Sequence, residues 1–209
     1  MRILRLTDPI YDENCYIVIR GEDVTIIDPG FNTDKIQKLL KDEKLLISRI
    51  FLTHAHLDHT GDMDKLSISN NNCPIYINYH DYDMIYDPSL NCGMFLNISK
   101  QYKKDLNIIK INNDIENISD FTFYNTKGHT KGSSIIKIND VIFSGDTLFK
   151  GSIGRCDLPT GNNKEMNESL KFISKSFSKK TIIYPGHYTN TTLKDELTNN
   201  PYIKNRGFI

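Results

Sequence analysis

The sequence predicts an α/β fold, in which strands and amphipathic helices alternate along a chain of 209 residues. Runs of β-branched residues separated by turn residues indicate strands in the first third. A pattern of helical period follows at residues 34–43, and the last part alternates helix, strand and helix. The length suits one substantial core, so we expect a single domain over residues 1–209.

The first third of the chain predicts three strands. Apolar and β-branched runs occur at residues 2–6, 15–20 and 24–27, with Gly21 between the second and the third. Asp28-Pro29-Gly30 ends this segment with turn residues. Short strands separated in this way are typical of antiparallel pairing.

The next segment predicts a helix and then a buried strand. Apolar residues recur at Ile36, Leu39 and Leu40 in an otherwise polar stretch, and Thr33 is the expected helix cap. The apolar strand at residues 48–53 follows. It leads directly into a cluster of histidines.

The remaining elements are predicted by alternation and by turn residues. Strands are expected at residues 74–78 and 121–126, and a hairpin over 133–146 turns at Asn139-Asp140. A helix at 164–177, a strand at 181–187 and a helix at 191–200 complete the chain. Residues 81–113 have the weakest periodicity, and we expect helical turns and a loop near the mouth of a site there.

Composition and charge exclude several classes of function. The 26 Lys and Arg residues equal the 26 Asp and Glu residues, so there is no general attraction to nucleic acid or to an anionic membrane. The first residues reach Asp8 and Pro9 before any continuous apolar stretch forms, which predicts neither a signal peptide nor a membrane anchor. We therefore expect a cytoplasmic enzyme. The four cysteines are scattered, so any metal must be held by histidine and carboxylate.

The strongest chemical signal is the sequence FLTHAHLDHTG at residues 51–61. Three imidazoles and a carboxylate crowded at a strand end would repel or stay desolvated unless a cation organised them. In an extended segment, His54 and His56 project to one side, whereas the adjacent Asp58 and His59 diverge toward a second position. These donors suit zinc, manganese or iron in the absence of thiolate.

Other ionisable residues follow apolar runs in the same way. His129, Asp146 and His187 stand beside glycines, so several loops are expected to converge at one edge of a sheet core. Each is a weaker signal alone, because Gly-His and Gly-Asp also occur in ordinary turns. Seven ligands are too many for one tetrahedral ion and suit two ions about 3.5 Å apart that share a carboxylate.

Two further residues of this kind are interpreted differently. Asp28 precedes the histidine cluster and is expected to orient a ligand loop by hydrogen bonding, with a plain turn-forming aspartate as the alternative. His80 does not follow the pattern, and we expect an ordinary histidine there.

Four motifs resemble those of the metallo-β-lactamase superfamily: H-x-H-x-D-H at residues 54–59, G-H-T at 128–130, G-D-T-L-F at 145–149 and P-G-H at 185–187. The segments GDTLFKGSIGRCDLP and YPGHYTNTTLKDELTNNPYI resemble short bacterial members of its glyoxalase II-like (hydroxyacylglutathione hydrolase-like) branch. The resemblance implies a four-layer αββα sandwich with metals at one edge. It also implies that one ion is bound by His54, His56 and His129, the other by Asp58, His59 and His187, and that Asp146 bridges them.

The resemblance further implies a thioester hydrolase that uses two divalent ions, zinc with iron or manganese as alternatives. Asp58 and Asp146 are then the catalytic carboxylates, and the partner is a small-molecule thioester, not nucleic acid or a membrane. Three alternatives stay open: a persulfide dioxygenase-like enzyme with one iron, a lactone or phosphodiester hydrolase, and a noncatalytic metal-dependent binding module.

Three departures from larger glyoxalase II enzymes bear on the substrate. The chain stops soon after His187, so we expect no C-terminal helical glutathione-binding domain. Arg155 is expected to bind a substrate carboxylate, with an ion pair to Asp157, where relatives carry tyrosine, as the alternative. Lys127 and Lys131 replace prolines and are expected to favour an anionic substrate, with two solvated loop lysines as the alternative.

Overall fold

The structure is a computed structural model that describes residues 1–98 and 100–204. The chain forms two compact units, Met1–Ile111 and Asn112–Ile209. Each unit is built on one six-stranded mixed sheet. The single domain over residues 1–209 stays a prediction. Within the described residues, no helix is both long enough and apolar enough to span a bilayer.

The first unit carries its six strands in sequence order across the sheet. Strands β1 to β3 pair antiparallel and β3 to β6 pair parallel, so the three strands predicted for the first third are confirmed. Because parallel neighbours need a crossover, helices separate β3 from β4 and β4 from β5. The elements are β1 (Arg2–Thr7), β2 (Asn14–Arg20), β3 (Asp23–Ile27), α1 (Thr33–Glu43), β4 (Ile47–Phe51), α2 (Leu57–Thr60), α3 (Met63–Ser69), β5 (Ile75–Asn78) and β6 (Ile108–Ile111).

Helix α1 forms as predicted but begins differently. Ile36 and Leu40 are buried on its inner face, as the helical period requires. The prediction that Thr33 caps the helix was wrong. Thr33 is the first helical residue and its hydroxyl donates to Asp62 Oδ2 at 3.2 Å, so the cap position falls to Asn32.

Residues 81–113 contain a strand that the sequence did not reveal. Short 3₁₀ helices at Tyr79–Asp81 and Asp83–Tyr86 agree with the predicted helical turns. However, β6 lies at the end of this stretch and pairs parallel with β5. Ile109 and Lys110 are exposed within this four-residue edge strand, so it has no continuous buried face to produce a periodic signal.

The second unit has the strand order β12-β11-β10-β9-β8-β7. Strands β7 to β10 pair antiparallel, β11 runs parallel to β10, and β12 is antiparallel to β11. The predicted hairpin at Asn139-Asp140 is confirmed, whereas the first two residues of the helix predicted at 191–200 form β12 and the helix begins at Leu193. The elements are β7 (Ile115–Ile118), β8 (Phe121–Asn125), β9 (Ser134–Ile138), β10 (Val141–Gly145), α4 (Asn163–Ser176), β11 (Ile182–Pro185), β12 (Thr191–Thr192), α5 (Leu193–Asn199) and α6 (Pro201–Lys204).

Helix α4 connects the parallel strands β10 and β11 and packs against their sheet. Its buried residues Met166 and Leu170 join Ile142 and Ile183 in one apolar cluster. The helix begins after Asn162, whose side chain accepts hydrogen bonds from two backbone N–H groups of the first turn at 2.9 and 3.1 Å. This cap satisfies donors that have no partner inside the helix.

The cap gives a stability prediction. Asn162→Ala removes both hydrogen bonds and should lower the free energy of unfolding by about 1 kcal/mol. Asn163→Ala, one residue later at the first helical position, is the matched control and should cause no loss, because alanine favours the helix. Urea unfolding followed by circular dichroism measures both. Equal losses in the two variants would contradict the capping role.

Candidate metal centre

In the first unit, two neighbouring parallel strands deliver polar residues to the same sheet edge. Ile27 at the end of β3 lies opposite Phe51 at the end of β4. The next residue after β3, Asp28, donates its backbone N–H to the carbonyl of Phe51 at 3.0 Å. Asp28 has a φ of +48°, a left-handed conformation that aspartate tolerates better than most residues. The parallel register therefore brings Asp28 beside the segment that carries the histidine cluster.

The buried Asp28 carboxylate accepts three hydrogen bonds. Oδ1 accepts the backbone N–H of Thr53 at 2.8 Å, and Oδ2 accepts the Thr53 hydroxyl at 2.6 Å. Oδ2 also lies 3.0 Å from Nδ1 of His59. An ionised carboxylate can only accept, so the His59 hydrogen bond requires a proton on Nδ1. In the neutral His59 ring, the lone pair is therefore on Nε2.

The same reasoning assigns the His54 ring. Its Nδ1 lies 3.0 Å from the Thr53 hydroxyl oxygen. Because the Thr53 proton is committed to Asp28, the hydroxyl oxygen must accept from His54, which puts the proton on Nδ1. Both His54 and His59 thus present an unprotonated Nε2. Holding the second ring nitrogen in this way is how proteins orient histidines that bind metals.

The remaining members of the cluster lie close to these two rings. His54 Nε2 is 3.1 Å from His56 Nδ1, and the His54 and His59 ring centroids are 4.1 Å apart. His56 has the extended backbone that we predicted, and Asp58 and His59 belong to the short helix α2 that follows it. The helical turn places Asp58 Oδ2 at 3.8 Å from His59 Nε2. His54, His56 and His59 are buried, whereas the Asp58 side chain is 19% exposed.

Sequence reasoning missed residues that hold the cluster in place. Asp81 is fully buried, and its Oδ2 accepts the backbone N–H of Ala55 at 3.1 Å, between two candidate ligands. Tyr102 donates its hydroxyl to the carbonyl of Gly61 at 2.7 Å, and burial raises the pKa of this phenol well above its usual range. Asp81 follows β5 closely, so the strand-end pattern could have revealed it.

The neighbouring His80 is partly exposed, and its ring centroid lies 3.8 Å from that of Tyr79.

The second unit uses a second pair of parallel strands. Gly145 at the end of β10 lies opposite Pro185 at the end of β11, and Gly186 donates its N–H to the Gly145 carbonyl at 2.8 Å. The residues that follow these strand ends are Asp146 and His187. His187 Nε2 lies 3.6 Å from Asp146 Oδ2.

His129 completes the set in this unit from the loop between β8 and β9. Its Nε2 lies 3.5 Å from Asp146 Oδ2, so both histidines face the same carboxylate oxygen. Its Nδ1 lies 2.7 Å from the carbonyl of Arg155, and a carbonyl can only accept, so Nδ1 carries the proton. Gly154 permits this contact. A Cβ on Gly154 would lie 1.9 Å from the Asp146 carbonyl oxygen and 3.0 Å from His129 Nδ1.

Both donor sets fit divalent metal ions. The facing atom pairs are 3.1 to 3.8 Å apart. Two ligand atoms bound at about 2.0–2.2 Å to one tetrahedral ion lie about 3.3–3.6 Å from each other. The donors are imidazole nitrogens and carboxylate oxygens, which zinc, iron and manganese all accept. Cys156 is not among these donors, and burial raises the pKa of its thiol to about 11.

The three residues predicted to bind substrate have the following contacts. Arg155 Nε and Asp157 Oδ1 are 2.6 Å apart in a two-pronged ion pair, which lowers the pKa of Asp157 to about 2. Lys127 Nζ lies 3.9 Å from Asp114 Oδ1, and Lys131 is exposed. The side chain of Arg155 is thus paired with Asp157, while its backbone carbonyl orients His129. The substrate contacts expected of Arg155, Lys127 and Lys131 stay predictions.

Known proteins resemble the chain over most of its length. The family described as the metallo-beta-lactamase superfamily matches residues 9–187. The probable metallo-hydrolase YqgX of Bacillus subtilis is 33% identical over 196 residues, which cover 91% of this chain and 92% of the relative. The solved structure of the BLEG-1 B3 metallo-beta-lactamase is 30% identical with a TM-score of 0.83, over 97% of this chain and 99% of that chain. The structure of TTHA1623 in a di-iron-bound form is 31% identical with a TM-score of 0.85, over 95% and 99%.

These similarities decide the fold and the broad class. Two mixed sheets with flanking helices match the α/β sandwich of this superfamily, so the predicted fold class is confirmed. The homologues support a metal-dependent hydrolase, and the histidine and aspartate donors suit divalent metals. The family match covers more than half of the chain and spans every predicted metal ligand. The chain belongs to the metallo-β-lactamase superfamily.

Proposed function

We propose that this chain is a binuclear metal-dependent hydrolase that cleaves thioesters of the hydroxyacylglutathione type. The observation that carries the proposal is the set of oriented histidines, each of which presents a defined ring nitrogen. The ligand assignment is the one that the motifs imply. His54, His56 and His129 hold one ion, Asp58, His59 and His187 hold the other, and Asp146 is shared.

The position of Asp146 supports the sharing role. Two histidines of the same unit face a single oxygen of this carboxylate, at 3.5 and 3.6 Å. A carboxylate has two oxygens with several lone pairs, so it can serve two ions at once. Asp146 follows β10 without any intervening residue, which limits the freedom of its backbone. The similarity to the di-iron-bound form of TTHA1623 supports iron as an alternative to zinc.

The proposed chemistry divides between the ions and the chain. When bound, a pair of divalent ions supplies a water of lowered pKa and polarises the substrate carbonyl. The buried Asp28 network keeps the His54 and His59 rings in one tautomer, so no reorientation is needed on binding. Asp58 is partly exposed and can pass a proton to solvent. The departing thiol ionises near pH 8.5, so the chain does not need to supply a strong acid.

A second candidate function is hydrolysis of a β-lactam ring. The observation that favours it is the similarity to the BLEG-1 B3 metallo-beta-lactamase, which extends over 97% of this chain. A β-lactam and a thioester are both acyl compounds that add water at a carbonyl carbon. They differ in the leaving group, because an amide nitrogen must be protonated on departure and a thiolate need not be. A substrate panel separates the two.

Metal content and a substrate panel test the function together. We expect two metal ions per chain and hydrolysis of S-lactoylglutathione or of thioesters of other thiols, independent of oxygen. Removal of metal by chelation should abolish turnover and its return should restore it. The panel also contains nitrocefin, a lactone and a phosphodiester. A single iron with oxygen uptake, or a preference for nitrocefin, would refute the proposal.

Asp146→Ala is the variant for the shared carboxylate. It should lose at least one ion per chain and reduce kcat by a factor of roughly 100 or more, because it removes a ligand common to both ions. Asp140→Ala, at the exposed hairpin turn before β10, is the matched control and should retain both ions. Full occupancy and full turnover in Asp146→Ala would contradict the binuclear site.

Asp28 gives a prediction on metal affinity. An asparagine there has only one acceptor oxygen and introduces an N–H₂ group, so it cannot satisfy both Thr53 and His59. Asp28→Asn should weaken metal binding by about 10- to 100-fold. Competition with a chromophoric chelator measures the affinity directly. The control is Asp23→Asn, at the opposite end of β3, where the carboxylate pairs with Arg20 and Arg49 instead. Similar affinities in the two variants would argue against the orienting role.

The lysines of the G-H-T loop give a prediction on substrate charge. Lys127→Ala with Lys131→Ala should raise KM for an anionic thioester roughly threefold to tenfold at low salt and flatten its salt dependence. The control is Lys179→Ala with Lys180→Ala, at the opposite end of β11 from His187. If KM and its salt response stay unchanged in the first pair, the two lysines are solvated loop residues.

A further inference from the structure

Tyr188 adopts a backbone conformation that is unusual for its residue type. It directly follows His187 and has a φ of +68°. Among the described residues other than glycine that have positive φ, it is the one aromatic residue, and most of the others are Asn or Asp. The left-handed region crowds Cβ against the neighbouring carbonyl, so bulky side chains rarely occupy it. The position is therefore one where the backbone favours glycine.

The turn explains the conformation but not the side chain. The chain must reverse between β11 and the antiparallel β12, and a left-handed residue accomplishes this. Glycine would do so without strain. Packing does not account for tyrosine either, because the residue remains 65% exposed. A strained and mostly exposed aromatic residue points to a role outside folding.

The surroundings of the Tyr188 ring place it beside a candidate ligand. Its centroid lies 5.4 Å from that of Phe149, at an interplanar angle of 73°. Phe149 in turn meets the His187 ring edge-on, with centroids 5.9 Å apart. Phe149 is buried, and its backbone exchanges hydrogen bonds with Ser152. Phe149 is thus held in place by burial and by backbone hydrogen bonds, and the exposed Tyr188 ring lies edge-on to it.

We propose that Tyr188 is a specificity residue that contacts an apolar or aromatic group of the thioester substrate. This inference rests on the proposed function for the identity of the substrate. An exposed ring held edge-on by a buried neighbour offers its face to a flat or apolar group. The group can belong to the acyl part or to the thiol part. Both share the same chemistry and are distinguished in the experiment.

The first measurement separates recognition from folding. Tyr188→Gly relieves the left-handed strain, so the metal-free variant should unfold at the same temperature as the wild type or up to about 3 °C higher. Asn139→Gly, at the positive φ of the hairpin turn, is the matched control for strain relief. A clear fall in the unfolding temperature of Tyr188→Gly would show that the ring serves packing and would overturn the proposal.

The second measurement compares substrates. Tyr188→Gly should raise KM roughly tenfold for a thioester with an apolar group and change KM less than twofold for a hydrophilic one. Tyr188→Phe should behave like the wild type, and so should Asn139→Gly. Two apolar thioesters are compared, one with a phenyl group in the acyl part and the other with a phenyl group in the thiol part. If KM is unchanged for both, the proposal is wrong.

A binding measurement distinguishes this proposal from the proposed function. Calorimetry with the metal-loaded protein compares benzyl mercaptan with 2-mercaptoethanol, neither of which requires turnover. We expect Tyr188→Gly to lose roughly tenfold in affinity for benzyl mercaptan only. If the wild type hydrolyses no thioester yet shows this loss, the function fails and the aromatic contact stands. If benzyl mercaptan binds both proteins equally, or neither, the aromatic contact is overturned.

Discussion

The Asp28 carboxylate is the interaction on which the candidate centre depends most. It is buried, it stands where β3 ends, and it accepts the backbone N–H and the hydroxyl of Thr53 together with the ring N–H of His59. Each of these bonds constrains the histidine segment that follows β4. Because a carboxylate cannot donate, its presence determines which ring nitrogens carry protons. One side chain therefore decides both the path of the ligand loop and the tautomers of His54 and His59.

The second unit reaches a similar result by other means. There a backbone carbonyl, that of Arg155, orients His129, and the close approach of this segment requires Gly154. A carbonyl carries no formal charge, so it fixes the tautomer without adding a negative charge on the Nδ1 side of the ring. The negative charge belongs to Asp146 on the Nε2 side, where His129 and His187 face one of its oxygens. In both units the strand ends come from parallel pairs, which is why the polar residues reach one edge of each sheet.

The superfamily alone does not define the substrate, and the residues around these donors differ in how firmly they are held. Arg155 and Asp157 neutralise each other in an exposed ion pair, and Lys127 lies at the limit of an ion-pair distance from Asp114. Such exposed pairs contribute little to stability and can be rearranged by a ligand. Phe149, in contrast, is buried, and the turn geometry sets the exposed Tyr188 ring beside it. Apolar contacts of this kind persist at any ionic strength, whereas the charge contacts are screened.

The sequence by itself determined the residue types of the candidate metal ligands, their positions after apolar runs and most strands of both sheets, because these features depend on local periodicity and on the chemistry of neighbouring residues. It also indicated the fold through the motifs from residue 54 to residue 187. It could not reveal β6, whose exposed residues leave no periodic pattern, or the partner that diverts the Thr33 hydroxyl from capping α1. Tertiary structure alone decided the contacts that Thr53 and Asp81 make and the strained backbone of Tyr188. Hydrogen bonds between residues far apart in the chain depend on strand register and side-chain direction, and neither is encoded in any single segment.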